Sequence, residues 1–166
     1  MRVRGSPTNT LSAVPRVQRS AGVTWAGNVA RGSGTISADT GAFSGLPYSL
    51  ATRVESPNGN TSPEELLAAA HAACFAMSLA SELSSAGSPP EHLDVRATLT
   101  LDEVEGGSHR IVSSELRARA RVDELDEEAL QGLAEAASDG CPLSALIGAS
   151  AKVTVNATLE GGTDGD

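Results

Sequence analysis

Aromatic residues are scarce in this chain, and basic residues are outnumbered. The 166 residues include one Trp, one Tyr and two Phe, and 12 Lys and Arg stand against 21 Asp and Glu, a formal net charge of -9. So few aromatic side chains leave no stacking platform for single-stranded nucleic acid. The negative field also repels phosphate backbones and anionic lipid surfaces. The composition therefore argues against a nucleic-acid partner.

Long apolar runs are also missing. The most apolar stretch, residues 68–80, is followed by Ser81, Glu82 and Ser84, so it falls short of the roughly 18 to 20 consecutive apolar residues that a membrane span needs. The N-terminal residues do not contain the apolar segment of a secretory signal. We therefore expect a soluble, cytoplasmic protein without a membrane partner, in a compartment that keeps thiols reduced.

Motifs of several enzyme classes are absent. The chain has two cysteines, Cys74 and Cys141, but no Cys-x-x-Cys, no Gly-x-Ser-x-Gly and no phosphate-binding glycine loop. A zinc site has little support. His71 and Cys74 lie one helical turn apart and Cys141 could add a third ligand, but structural zinc usually takes four ligands, and His92 and His109 lie in or near predicted loops. We expect no metal.

The two ends of the chain differ in composition from its middle. Residues 1–20 contain four Arg and two Pro but no acidic residue. An Arg-rich, acid-poor start is typical of an organelle transit peptide, but Pro7 and Pro15 break the amphipathic helix that such a peptide forms. We therefore predict a disordered basic extension over residues 1–20, one folded domain over residues 21–160, and a disordered tail rich in Gly and Asp over residues 161–166.

Two groups of strands are predicted inside the domain. An N-terminal meander covers residues 23–29, 34–38 and 50–54, which are separated by turns rich in Gly and Pro. A longer hairpin covers residues 94–104 and 111–122. Its second strand alternates apolar residues with arginines, so one face meets the core and the other meets water.

Helices separate and follow these strands. Ser62 caps the first helix and a proline follows it, and residues 66–86 continue this helix with Ala and Leu on almost every face, so we expect it to be buried. Shorter helices are predicted over residues 126–138, with Asp126 as the cap, and over residues 141–149, before a closing strand over residues 152–160. The resulting order, βββ-α-ββ-α-α-β, predicts an α+β fold with antiparallel sheet.

The two cysteines differ in their settings. Cys74 lies in the middle of the long helix, where a small buried hydrophobe is the common role of an intracellular cysteine. Cys141 begins a helix, where free N–H groups lower the pKa of a thiol. The sequence by itself does not say whether the two come within the roughly 7 Å between Cα atoms that a disulfide requires.

Three segments together resemble a known family. Residues 52–55 (Thr-Arg-Val-Glu), residues 62–77, which include Cys74, and residues 140–144 (Gly-Cys-Pro-Leu-Ser) closely resemble the OsmC/Ohr family of thiol-dependent peroxidases. Residues 31–35 and 46–48 look more like the OsmC branch, the osmotically inducible proteins, than the organic hydroperoxide resistance branch. The resemblance extends over nearly the whole folded part.

The resemblance implies an OsmC-like fold, an intertwined homodimer in which antiparallel sheets wrap a long central helix and the active sites lie between subunits. It implies a peroxidase for stress defence in which Cys74 is the peroxidatic thiol, Cys141 the resolving thiol, and Arg53 with Glu64 the polar pair that tunes Cys74. The implied cycle passes through a Cys74 sulfenic acid and a Cys74–Cys141 disulfide. A small dithiol, such as a dihydrolipoyl group or a lipoylated protein, then reduces the disulfide, and no metal, haem or flavin cofactor is needed.

Helix geometry adds one constraint to these implied roles. Glu64 and Cys74 are ten positions apart on one predicted helix, which is about 15 Å of rise. A thiol in the apolar middle of a helix also has a raised pKa unless a cation pairs with it. Our hypothesis is that Arg53 supplies the cation and that Glu64 serves the Cys74 of the other subunit.

Five apolar residues are candidates for the wall of a substrate pocket, which would favour alkyl or lipid hydroperoxides over hydrogen peroxide. They are Leu67, Phe75, Met77, Leu143 and Leu146. All five could equally be ordinary core. Two other functions stay open at this point: a non-catalytic protein of the same fold that binds a fatty acyl or other apolar ligand, and a redox sensor that passes its disulfide to a partner.

Overall fold

The computed structural model describes residues 17–55 and 57–160. Within these ranges the chain forms two three-stranded sheets and four helices. Residues 17–20 are exposed and belong to no helix or strand. The rest of the predicted extension and the predicted tail, residues 161–166, lie outside the described residues, so the disorder expected for them stays a prediction.

The first sheet is an antiparallel meander of β1 (Ala21–Ala26), β2 (Ser33–Ala38) and β3 (Leu46–Ser49). Trp25 of β1 and Tyr48 of β3 pack across Gly34 of β2, with ring centroids 5.4 Å apart. A Cβ at Gly34 would stand 2.7 Å from the Tyr48 ring, so only glycine leaves room for the two rings. Every residue of β1 is exposed, so this sheet has little core of its own.

The prediction of a third strand over residues 50–54 is wrong. This segment is a short helix, α1 (Leu50–Val54), and the strand lies just before it, at β3, where a turn was expected. Ser49 and Thr52 explain the difference, because they form a capping box. The Ser49 hydroxyl accepts from the Thr52 N–H at 3.2 Å, and the Thr52 hydroxyl accepts from the Ser49 N–H at 2.9 Å. These two bonds begin a helix that carries Arg53 in its last turn.

The long helix α2 (Pro63–Ser85) begins where the sequence predicts. The Ser62 hydroxyl accepts from the Glu65 N–H at 3.1 Å, and a proline occupies the first turn. Four residues spaced by one turn are buried: His71, Phe75, Leu79 and Leu83. Within the single chain this burial is one-sided. The stripe is covered by β4 (His92–Val104), α3 (Glu127–Gly140) and α4 (Pro142–Gly148), whereas Met77 is 70% exposed.

By length and composition alone, α2 could cross a membrane, with a mean hydropathy of 1.5 over its most apolar 18 residues. The core helix of a soluble protein passes the same test. The buried stripe of α2 lies against a sheet and two helices of its own chain. The other face of α2 is apolar and uncovered, so the expectation of a protein without a membrane partner stays a prediction.

The second sheet contains β4 (His92–Val104), β5 (Ser108–Arg121) and β6 (Lys152–Leu159), in that order. The predicted alternation in β5 is confirmed, since Leu116, Ala118 and Ala120 are buried and the arginines between them are exposed. Against expectation, β6 is parallel to β5. The reason is the helical crossover between them, which returns the chain to the end of the sheet where β5 began.

This crossover consists of α3 (Glu127–Gly140) and α4 (Pro142–Gly148). The Asp126 carboxylate accepts from the Ala129 N–H at 2.8 Å and so caps α3 as predicted. Buried residues of α3 pack against α2 and the second sheet in one hydrophobic core. Cys141 ends α3 and begins α4, so the crossover places its thiol beside the middle of α2.

Candidate active site

The two cysteines meet in the structure. Cys74 lies in the middle of α2 and is half-buried, whereas Cys141 is fully buried at the junction of α3 and α4. Both are free thiols, and their sulfur atoms are 3.2 Å apart. The sequence left open whether the fold brings the two together. At this distance, loss of two electrons and two protons closes a disulfide with little backbone movement.

The thiol environments differ in their effect on ionisation. Burial is the largest cause that raises the pKa of Cys74 above its ordinary value, and the neighbouring Cys141 raises it further, against a smaller opposing effect of the Leu143 N–H. Burial also acts to raise the pKa of Cys141. There, however, the N–H of Ser144, the Cys74 thiol and the Ser144 hydroxyl outweigh burial, so the pKa of Cys141 is lowered.

Either thiol can donate in this pair, and loss of the Cys141 proton leaves Cys74 as the donor. In the single chain, Cys141 is therefore the more acidic thiol and Cys74 the more accessible one. This agrees with the pKa directions expected from a mid-helix cysteine and from one at a helix start. No cation is among the described groups that shift the pKa of Cys74.

Arg53 and Glu64 form the predicted polar pair within one chain. The Arg53 Nε and Nη2 both donate to Oε1 of Glu64, at 2.9 and 2.6 Å. Glu64 keeps only 15% of its side chain exposed, against 39% for Arg53. The other carboxylate oxygen, Oε2, is buried without a hydrogen-bond partner among the described residues. The capped start of α2 and the last turn of α1 hold the two side chains together.

The polar pair and the thiol pair do not meet within the chain. Glu64 and Cys74 lie on the same uninterrupted helix α2, and ten residues of helix rise by about 15 Å. The hypothesis that Glu64 serves the Cys74 of another subunit therefore stays a prediction.

The five candidate pocket residues do not form one pocket wall within the single chain. Phe75 is fully buried in the core of α2, α3 and the second sheet, and Leu143 packs against that core. Leu67 is half-buried, whereas Met77 and Leu146 are exposed to 70% and 64%. A surface depression of about 300 Å³ begins one turn beyond Cys74. It is lined by Met77, Ser78, Ser81, Glu82, Ala137 and Gly140.

Sequence reasoning missed one buried polar group. The sequence suggests His71 only as a metal ligand, but its two ring nitrogens lie 2.8 Å from the Ser114 hydroxyl and 2.9 Å from the Ser144 hydroxyl. No group of three or more His, Cys, Asp or Glu residues that could hold a metal ion occurs in the part of the chain that the structure describes. The serines are 43 and 73 positions away from His71, so no local pattern could have revealed the contact.

Comparison with known proteins gives consistent matches. The family model for OsmC-like protein matches residues 56–156. Peroxiredoxin OsmC of Escherichia coli strain K12 is 38% identical over 136 residues, which are 82% of this chain and 92% of that protein. The crystal structure of the organic hydroperoxide resistance protein OhrB of Bacillus subtilis superposes with a TM-score of 0.66 at 26% identity, covering 83% of this chain and 97% of OhrB. An organic hydroperoxide resistance protein from Elizabethkingia anophelis, 23% identical, superposes with a TM-score of 0.68 over 88% of this chain and the whole of that one.

Proposed function

Because the chain belongs to the family of OsmC-like proteins, we propose that it is a thiol-dependent peroxidase that reduces organic hydroperoxides with Cys74 and Cys141. The observation that carries this proposal is the 3.2 Å separation of two free thiol sulfurs, one of them half-buried and the other fully buried. The names of its relatives, peroxiredoxin OsmC and organic hydroperoxide resistance protein, point to the same reaction.

The reaction has two steps on the protein. The Cys74 thiolate attacks the terminal oxygen of the hydroperoxide, the one that carries the hydrogen. A sulfur–oxygen bond forms and the O–O bond breaks, so that Cys74 becomes a sulfenic acid and the alkoxide leaves and takes up a proton as the alcohol. The Cys141 thiolate then attacks the sulfur of the Cys74 sulfenic acid. A sulfur–sulfur bond forms and the sulfur–oxygen bond breaks, so that hydroxide leaves and takes up a proton as water. An external dithiol, such as a dihydrolipoyl group, reduces the disulfide by exchange, and neither metal nor prosthetic group takes part.

The role of Cys74 as the attacking thiol rests on access. A peroxide reaches the half-buried Cys74 more easily than Cys141, which has no exposed surface. The lowered pKa of Cys141 suits the second step, because the attacking group in disulfide formation is a thiolate. The raised pKa of Cys74 is the difficulty in this assignment. A guanidinium close to the sulfur would remove it by favouring the thiolate.

We assign that guanidinium to Arg53 of a second copy of the chain. Three observations support an intertwined homodimer whose sites lie between the subunits. Glu64, which binds Arg53, lies about 15 Å along α2 from Cys74 of its own chain, so this pair does not reach that thiol. The face of α2 that carries Met77 is apolar and uncovered, and β1 is exposed throughout. The buried Oε2 of Glu64 also has no partner among the described residues.

An exposed apolar side chain near Cys74 supports organic hydroperoxides as the substrate class. The depression one turn along α2 includes the exposed Met77. An alkyl chain on the peroxide could bury its hydrocarbon there, at about 25 cal/mol per Å² of apolar surface removed from water, and hydrogen peroxide gains nothing from it. We place the protein in the cytoplasm, because two thiols in contact stay reduced and ready only in a reducing compartment.

Stoichiometric peroxide provides a direct test of the proposed reaction. We expect one equivalent of cumene hydroperoxide to remove both thiols of the reduced protein and to lower its intact mass by about two units, the signature of an internal disulfide. Hydrogen peroxide should give the same product more slowly. Free thiols and intact mass are followed over time. Survival of both thiols would overturn the peroxidase and leave an apolar-ligand binding protein of the same fold as the alternative.

Subunit mixing tests whether the site is shared between chains. We expect Cys74→Ser and Glu64→Gln to be strongly impaired when each is assayed alone. After the two variants are unfolded and refolded together, a mixed dimer contains one site with both native residues if Glu64 serves the Cys74 of the other chain. Random pairing should then restore about a quarter of the wild-type activity. A site built within one chain would show no recovery, and a protein that sediments as a monomer would also contradict the proposal.

A further inference from the structure

The surface depression near the thiols runs between α2 and α3. Its α2 wall consists of Met77, Ser78, Ser81 and Glu82, which lie three, four, seven and eight positions after Cys74. Residues at these spacings share one face of an α-helix, so this wall continues the face of α2 that carries Cys74. Glu82 stands at its far end, about 12 Å of helix rise from Cys74.

The α3 wall of the depression leads back to the second thiol. Ala137 lies one helical turn before Cys141, and Gly140 comes directly before it. A Cβ at Gly140 would meet no described atom within 4 Å, so open space extends to the residue next to Cys141. The sulfurs of Cys74 and Cys141 are in turn 3.2 Å apart. Both walls therefore lead to the thiol pair, and a hydroperoxide that reacts at Cys74 has this depression beside it for the rest of its chain.

The charge in and around the depression is of one sign. Glu82 is the charged residue among those that line it, and it is half-buried. Its carboxylate has no hydrogen bond or ion pair among the described residues. Neither α2 nor α3 contains a Lys or Arg, whereas both contain further acidic residues. The two helices that form the depression therefore offer no cation to a carboxylate that enters it.

We propose that Glu82 is a specificity-determining residue, which makes the protein select neutral hydroperoxides, such as those of esterified lipids, over the hydroperoxides of free fatty acids. In a free fatty acid the carboxylate ends a hydrocarbon chain, away from the peroxide group. A chain laid along the depression from Cys74 therefore brings this carboxylate toward Glu82. Two like charges at a partly buried position repel each other more strongly than in open water, because less water screens them.

The inference rests on the proposed function and names the substrate class of the same site. The cation assigned to that site, Arg53 of a second copy, acts on the Cys74 sulfur at the near end of the depression. It favours the thiolate and does not offset the charge of Glu82 at the far end. The peroxide group and the hydrocarbon chain of one substrate thus meet opposite charges, and only the chain end selects between an ester and an acid.

Two substrates that differ only in charge test this selectivity. Below the concentrations at which they aggregate, we expect linoleic acid hydroperoxide to react with a kcat/KM roughly 3- to 30-fold lower than that of its methyl ester, as Coulomb repulsion between two nearby carboxylates implies. Glu82→Gln should bring the two values together, mainly through a faster reaction of the acid. Added salt should narrow the gap in the wild type. Glu105→Gln removes the same charge from the exposed turn between β4 and β5 and should keep the wild-type ratio.

Alkylation gives the same comparison without a peroxide. In the Cys141→Ser variant, where Cys74 is the one remaining cysteine, the rates of reaction with maleimidohexanoic acid and with its methyl ester are measured. We expect the ester to react faster, and Glu82→Gln, unlike Glu105→Gln, to remove the difference. Equal rates for acid and ester, or equal effects of the two Gln replacements, would overturn the proposal. A protein that reduces no hydroperoxide but keeps the difference in alkylation would contradict the proposed function and support the charge selectivity.

Discussion

Replacement of Cys74 by serine is expected to lower the rate of peroxide reduction by more than about 1,000-fold, because a serine hydroxyl is not ionised near neutral pH and cannot take its place as nucleophile. The half-buried Cys74 is the only described thiol that a peroxide can approach, since Cys141 is fully buried. Cumene hydroperoxide consumption in the presence of excess dithiol measures the effect. Circular dichroism confirms that the variant is folded.

Cys141→Ser is the matched control for this replacement. It removes the second thiol but leaves the first step intact, so one equivalent of peroxide should still be consumed rapidly. The Cys74 sulfenic acid then has no neighbouring thiol 3.2 Å away. It should persist long enough to be trapped by a sulfenic-acid reagent, and steady turnover should fall. If Cys141→Ser abolished the first step and Cys74→Ser retained it, the two cysteines would have the opposite roles.

The second large effect is expected at the polar pair. Arg53→Ala should lower kcat/KM for organic hydroperoxides by about 100 to 1,000-fold, a typical cost of removing a group that stabilises charge developing in the transition state. The guanidinium is also the group that would favour the Cys74 thiolate, whose pKa is otherwise raised by burial. The pH at which the reaction reaches half its maximal rate should therefore move upward in Arg53→Ala. Glu64→Gln should also be strongly impaired, though less than Arg53→Ala, because the amide leaves the positive charge in place but orients it poorly.

Arg117→Ala provides the control for the loss of an arginine. Arg117 pairs with Glu115 at 3.0 Å, but both side chains are well exposed, at 68% and 43%. Exposed pairs of this kind contribute about 0 to 1 kcal/mol to stability, and nothing places this one near the thiols. We expect wild-type kinetics and an unshifted pH profile. Equal losses in Arg53→Ala and Arg117→Ala would mean that net charge, not a positioned guanidinium, sets the rate.

The sequence predicted several elements from their local chemistry. Ser62 with its following proline marks the start of α2, Asp126 caps α3, and the alternation of β5 separates its buried from its exposed face. The wrong strand at residues 50–54 also concerns a local signal, because the Ser49 and Thr52 hydroxyls that begin α1 stand in the sequence beside a short apolar run. The direction of β6 was a different kind of error. Alternation identifies a strand but carries no information on which way it runs beside its neighbour.

By itself, the sequence determined the family resemblance, the identity of the two thiols and the opposite directions of their pKa shifts, because these depend on residue type and on position within a helix. Tertiary structure alone decided that Cys74 and Cys141 are in contact and that His71 lies between two serines. The physical reason is sequence distance. The thiols are 67 positions apart, and groups so far apart are brought together only by the packing of α2 against the crossover helices, which no local pattern encodes.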